Sequence, residues 1–168
     1  DIKPLTNDGQ LKVRLYTEMK DAEIRYTIDG SQPGVNSTLY TEPFDVKSSI
    51  NVQAVTVEDG NVMPLVPSSQ SFVMHKAIGA KITYKNQPSN AYMADGPNSL
   101  VDGIRGTYAV GKYWHGFYAK DLVATIDFGI AKNISSIKLG TLQHYRDWIF
   151  LPSKVLFEIS NDGVNFKE

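Results

Sequence analysis

Ile24-Arg25-Tyr26-Thr27-Ile28-Asp29-Gly30-Ser31-Gln32-Pro33-Gly34 is the stretch that decides how this chain folds. Ile24, Tyr26 and Ile28 alternate with Arg25 and Thr27, the two-residue period of a strand with one face buried. Asp29-Gly30 ends the run with a pair suited to a tight turn. Pro33-Gly34 then fixes one backbone angle and frees the next, so the chain reverses without a helix. Moving outward, Leu11, Val13 and Leu15 alternate with Lys12, Arg14 and Tyr16, and Ile50, Val52 and Ala54 alternate with Asn51 and Gln53. Glu58-Asp59-Gly60-Asn61 reads as a hairpin turn leading on to Ser71-Phe72-Val73, with Pro64-Leu65-Val66-Pro67-Ser68-Ser69 as a loop. Short strands at this spacing predict an antiparallel sandwich of the immunoglobulin kind over residues 1–76, with a boundary near His75 to Gly79.

Residues 77–168 also read as β, with longer loops. Leu122, Ala124, Ile126 and Phe128 make one face of a strand that Gly129 ends. Ile137 and Leu139 mark another, and Val155, Phe157 and Ile159 a third, followed by an Asn161-Asp162-Gly163 turn. Gln87 to Asp121 is rich in Gly, Asn, Pro and aromatic residues, and loops of that length usually serve a function.

Composition narrows the function. With 42% hydrophobic and 21% charged residues, the 168-residue chain can form a packed core and is not disordered. It has no cysteine, which suits an exported bacterial protein as well as a cytosolic one. Charge is −3 through Lys76 and +2 from Ala77 onward, too weak a cationic surface for nucleic acid. No apolar run is long enough to span a membrane.

Nothing in the sequence builds a reactive centre. Glu58-Asp59 is the one adjacent acidic pair and falls in a turn. His75, His115 and His144 are far apart, with no Gly-x-Ser-x-Gly elbow and no short metal-ligand spacing.

Several of these elements follow one another as in a known family. A strand ending Tyr26-Thr27-x-Asp29-Gly30-Ser31-x-Pro33, then Tyr40, Pro43-Phe44 and the Ile50–Val55 strand resemble the small C-terminal β domain of chitobiases and β-hexosaminidases over about residues 1–75. The resemblance implies a module without a catalytic group.

Leu100-Val101-Asp102-Gly103, Trp114-His115-Gly116-Phe117, Ala124–Gly129, Ile134–Leu139, Phe150–Val155 and Ser160–Gly163 with Phe166 are similar to discoidin or coagulation factor type C domains. Bacterial versions are the family 32 carbohydrate-binding modules, jelly rolls that bind galactose-type or N-acetylhexosamine sugars. The expected fold is thus all-β: the sandwich, then a galactose-binding-like jelly roll of which residues 77–168 hold the first two thirds. Together the modules look like the C-terminal end of a family 20 β-hexosaminidase from a glycan-degrading gut bacterium. That implies a secreted, periplasmic or outer-membrane location and packing on the parent chain's catalytic domain. A chain ending just inside a hairpin's return strand is expected to be a fragment, with an open edge through which copies associate.

The resemblance also implies a structural Ca2+, held by Asp102, Thr107 and the carbonyls of Ser99 and Ile104. Hard oxygen ligands suit that ion, while Asp102-Gly103 also reads as a plain turn with Asp capping amides. Sugar recognition calls for an aromatic face and planar polar groups. Tyr108–Tyr118 and Gln143–Trp148 offer both. Trp114 and Phe117 read as core, and His115, His144, Tyr145 and Arg146 as the binding candidates. Trp148 reads either as a binding residue or as a plug for the barrel bottom, and Asp147 as a partner of Arg146 or a turn cap. Three functions follow from this: a glycan-binding accessory region, a structural spacer packed on the catalytic barrel, or an adhesion module for a protein or lipid surface.

Overall fold

The computed structural model describes residues 1–168, apart from the side chains of residues 64 and 65. It divides into two units: Asp1–Gly79 with Leu100–Arg105, and Ala80–Ser99 with Gly106–Glu168.

In the first unit, alternation becomes burial. Ile2–Asn7 (β1) turns through Asp8 and Gly9, both at positive φ, into Gln10–Leu15 (β2), which buries Leu11, Val13 and Leu15 and exposes the residues between them. Glu23–Thr27 (β3), Thr38–Leu39 (β4), Phe44–Val46 (β5), Ile50–Glu58 (β6) and Asn61–Phe72 (β7) complete two antiparallel sheets, ordered β1-β2-β5 and β4-β3-β6-β7. Ile2, Leu11, Val13, Leu15 and Val46 of one sheet share a core with Val52, Ala54 and Phe72 of the other. The Val, Leu, Ile and Phe side chains among these contribute about 1.5–3 kcal/mol each when fully buried. Tyr26 stacks on Phe44 at 4.7 Å between centroids and meets the edge of Tyr40 at 6.3 Å. Burial, and secondarily Tyr40, push the Tyr26 phenol above its ordinary pKa. This is the expected all-β sandwich.

The Glu58–Asn61 hairpin forms with Asp59 and Gly60 both left-handed, the geometry that matches strand twist. Other expectations need correction. β3 ends at Thr27, and Ile28 stands half-exposed beyond it. Asp29 and Gly30 do bend the chain away from the strand, with Gly30 at positive φ and Ser31 N donating to Asp29 Oδ1, and Asp29 bridges in parallel to Asn51. The loop expected at Pro64–Ser69 lies inside β7. Its ladder is broken there: Ala54 pairs with Ser68 and Thr56 with Met63, so residues 64–67 face Val55 alone. Prolines lack the amide a ladder needs, and β7 lies at the end of its sheet, where that lack is tolerated.

The second unit has one sheet among the described residues, Lys81–Tyr84 (β8) paired antiparallel with Ala124–Asp127 (β9). The strand expected from Leu122 to Phe128 is thus shorter than its pattern. Ile137–Leu139 and Val155–Ile159 form no strands, and their apolar side chains are exposed. Alternation marks a face, but a strand also needs a ladder partner and a layer to cover that face, and neither meets these segments. The Asn161-Asp162-Gly163 turn does form, closed by an antiparallel bridge between Ile159 and Lys167. No helix among the described residues is long and apolar enough to cross a membrane.

Candidate functional site

Residues 143–150 make a hairpin tip. His144 N donates to Ile149 O at 3.0 Å and Ile149 N to His144 O at 3.1 Å, while a single 3-10 turn covers Tyr145–Asp147. Trp148 closes the turn at φ 57°, in the left-handed region that bulky side chains seldom occupy. The backbone thus turns its indole outward: Trp148 is 82% exposed and Tyr145 67%. The plug reading of Trp148 is not what this structure holds. Gln143 Nε2 donates to Tyr145 Oη at 2.8 Å, and the Tyr145 ring lies 5.9 Å from that of Phe150. Asp147 Oδ2 is 3.1 Å from His144 Nδ1, so the loop's carboxylate turns to the histidine and Arg146 stands exposed. An outward indole can stack on one face of a ring, and an exposed guanidinium can donate paired hydrogen bonds to ring substituents. Gln143 lies in the stretch the sequence marks but was not among the binding candidates, and Phe150 lies beyond it; their offsets from Tyr145 carry no distinguishing pattern.

His115 occupies a different environment. Its Nε2 lies 3.1 Å from Met93 O and 3.0 Å from Gly96 O, and its Nδ1 is 3.3 Å from Tyr84 Oη, which itself donates to Pro97 O at 2.8 Å. The Tyr84 ring meets the His115 ring edge-on at 5.6 Å. Both ring nitrogens are spent on the chain's own groups, so His115 ties residues 93–97 to β8. None of these bonds reaches residues 143–148. Trp114, read as core, donates from Nε1 to Thr107 O at 2.6 Å and is partly buried.

The calcium candidates divide between the units: Asp102 and Ile104 belong to the first, Ser99 and Thr107 to the second. Asp102 is buried, and its Oδ1 accepts from Ile104 N at 2.7 Å, the capping turn that the sequence left open as the alternative. Ser99 Oγ donates to Gly96 O at 2.9 Å and accepts from Asp95 N at 3.1 Å; Thr107 Oγ1 accepts from Ala109 N at 3.2 Å. These donors are all oxygen, as Ca2+ prefers, and the carboxylate and both hydroxyls already have backbone partners. No cluster of three or more His, Cys, Asp or Glu able to hold a metal occurs among the described residues.

The distinctive loop of the first unit is bonded to itself. Asp29 Oδ1 accepts from Ser31 N at 3.0 Å and Ser31 Oγ at 2.6 Å, bonds that hold its carboxyl below the ordinary range. Thr27 donates to Ser31 O, and Gln53 Nε2 donates to Gly30 O at 2.6 Å. Glu58-Asp59, the adjacent acidic pair, sits in its hairpin turn.

Residues 4–68 match the family model of the chitobiase/beta-hexosaminidase C-terminal domain. The matched stretch runs from β1 into β7 and includes the self-bonded loop. No curated protein matches the chain.

Proposed function

We propose that this chain is a non-catalytic accessory region of a secreted glycoside hydrolase of the β-N-acetylhexosaminidase kind, and that its second unit holds the enzyme on glycan. The family match over residues 4–68 supports the accessory reading. The observation that carries the glycan reading is the tip at residues 144–148, where a left-handed Trp148 stands 82% exposed beside Tyr145 and Arg146. An N-acetylhexosamine or galactose-type ring offers the apolar face and hydroxyl pairs that such a tip can engage. Tethering of this kind raises the local concentration of substrate even when each site is weak.

Titrating the chain with N-acetylglucosamine, N-acetylgalactosamine and galactose, followed by NMR, tests the reading. Binding is expected to fall at least tenfold in Trp148→Ala and Arg146→Ala with no change in melting temperature; absence of shifts at residues 143–150 with every sugar would refute it. The structural-spacer reading is favoured by the first unit, whose most distinctive residues bond to one another. Under the calcium reading, in which Asp102 would supply the carboxylate, the ion raises the melting temperature and chelator lowers it. Turnover of a chromogenic N-acetylglucosaminide by the chain would defeat the accessory reading.

A further inference from the structure

Leu100–Arg105 lies well past the stretch that matches the family model, yet it belongs to the first unit. Val101 is completely buried. Its carbonyl accepts from Gly79 N at 3.0 Å, and two residues later Gly103 O accepts from Val73 N at 2.8 Å. Ile104 packs against the core cluster that contains Leu11, Phe72 and Ile78. The segment is therefore pinned by backbone bonds at both ends of the 73–79 connection and by apolar side chains between them.

Its shape is specific. The Asp102 carboxylate accepts from Ile104 N and bends the chain, and Gly103 takes φ +83°, which other residues rarely adopt. A Cβ at Gly103 would stand 2.9 Å from Ile78 Cδ1 and 3.4 Å from Leu11 Cδ2. Val-Asp-Gly is the local code for a sharp bend pressed onto β2 and Ile78.

We infer that Leu100–Arg105 is a strap on which the stability of the whole first unit depends, so that the sandwich resembling the family domain is conditional on chain beyond residue 79. The matched residues 4–68 lack both Ile78, against which Gly103 of the strap lies, and the fully buried Val101 of the strap itself. Releasing the strap uncovers Ile78 and the adjoining part of Leu11 and withdraws the acceptors of Val73 and Gly79. Water entering there reaches the shared core of both sheets.

Hydrogen exchange on the full chain tests this. In the unaltered protein, Val73 and Gly79 amides are expected to exchange through the same opening as the ladder amides of β2 and β6. In Val101→Ala, exchange at those β2 and β6 amides is expected to speed up at least tenfold, as removing fully buried methyl groups does. Phe157→Ala, outside the strap and partly exposed, is expected to leave them unchanged. The inference is overturned if Val73 and Gly79 exchange far faster than β2 and β6 in the unaltered chain, or if Val101→Ala loosens only those two amides. The first of these measurements stands even where Val101→Ala does not fold.

Discussion

The first unit and the second carry the same kind of apolar alternation and put it to opposite use. Leu11, Val13 and Leu15 in β2 close against Val52, Ala54 and Phe72 across the sandwich, and little of them meets solvent. Val155, Phe157 and Ile159 repeat the spacing, yet they form no ladder and stay exposed. Order in the second unit comes instead from polar closures: the His115 network, the Trp114 indole on Thr107 and the Asp162 turn. A residue pattern states which face is apolar; whether the face is buried depends on a second layer that the pattern does not contain.

Truncating matched side chains probes this contrast most strongly. Phe72→Ala, at a side chain 1% exposed, is expected to cost about 3–5 kcal/mol in guanidinium unfolding. Phe157→Ala, at 41% exposed, is expected to stay within about 0.5 kcal/mol. Equal costs would erase the distinction between the units.

A smaller effect tests whether the loops of the second unit are rigid without a large core. A Cβ at Gly106 would overlap the Trp114 ring. Gly106→Ala is therefore expected to cost about 1–3 kcal/mol and to weaken the indole bond to Thr107, seen as faster exchange of the Trp114 Nε1 proton. An unchanged exchange rate would mean the loop is already mobile.

The smallest effect is electrostatic. The Asp162 carboxylate accepts from the amides of Val164 and Asn165, the Asn165 side chain and the Ser160 hydroxyl. These bonds hold its pKa well below the ordinary value of 3.8. A folded-state pKa lowered in this way stabilises the turn fully above the unfolded value, and the contribution is lost as pH falls through the lowered one. Acid titration by NMR should therefore show the Val164 and Asn165 amides holding their shifts at pH 3.8 and moving only in stronger acid. Movement centred at the ordinary carboxylate value would remove the bonds from the account.

Much of the first unit was legible in the sequence, because β2 and β6 state a face and Asp59-Gly60 states a turn within a few residues. Pro64 and Pro67 were read as a loop, since proline chemistry is local while the end position of β7 in its sheet is not. The strap was hidden for a related reason: Val101-Asp102-Gly103 announces a bend, and nothing near it in sequence names Leu11 and Ile78 as what the bend presses on. At the tip, the aromatic and basic residues could be picked out, but the left-handed backbone at Trp148 that turns its indole outward could not. His115 could not be separated from them until Tyr84, Met93 and Gly96 surrounded it.

The interrupted ladder of β7 bears on how the molecule coexists with copies of itself. A twelve-residue outer strand would offer a long row of unused amides and carbonyls to any extended peptide it met. Residues 64–67 crowd opposite Val55, and two of them are proline, so that row is cut into short lengths of mismatched register. The irregularity leaves only short regular runs along this border of the sheet, and short or irregular terminal strands are poor templates for pairing with another chain.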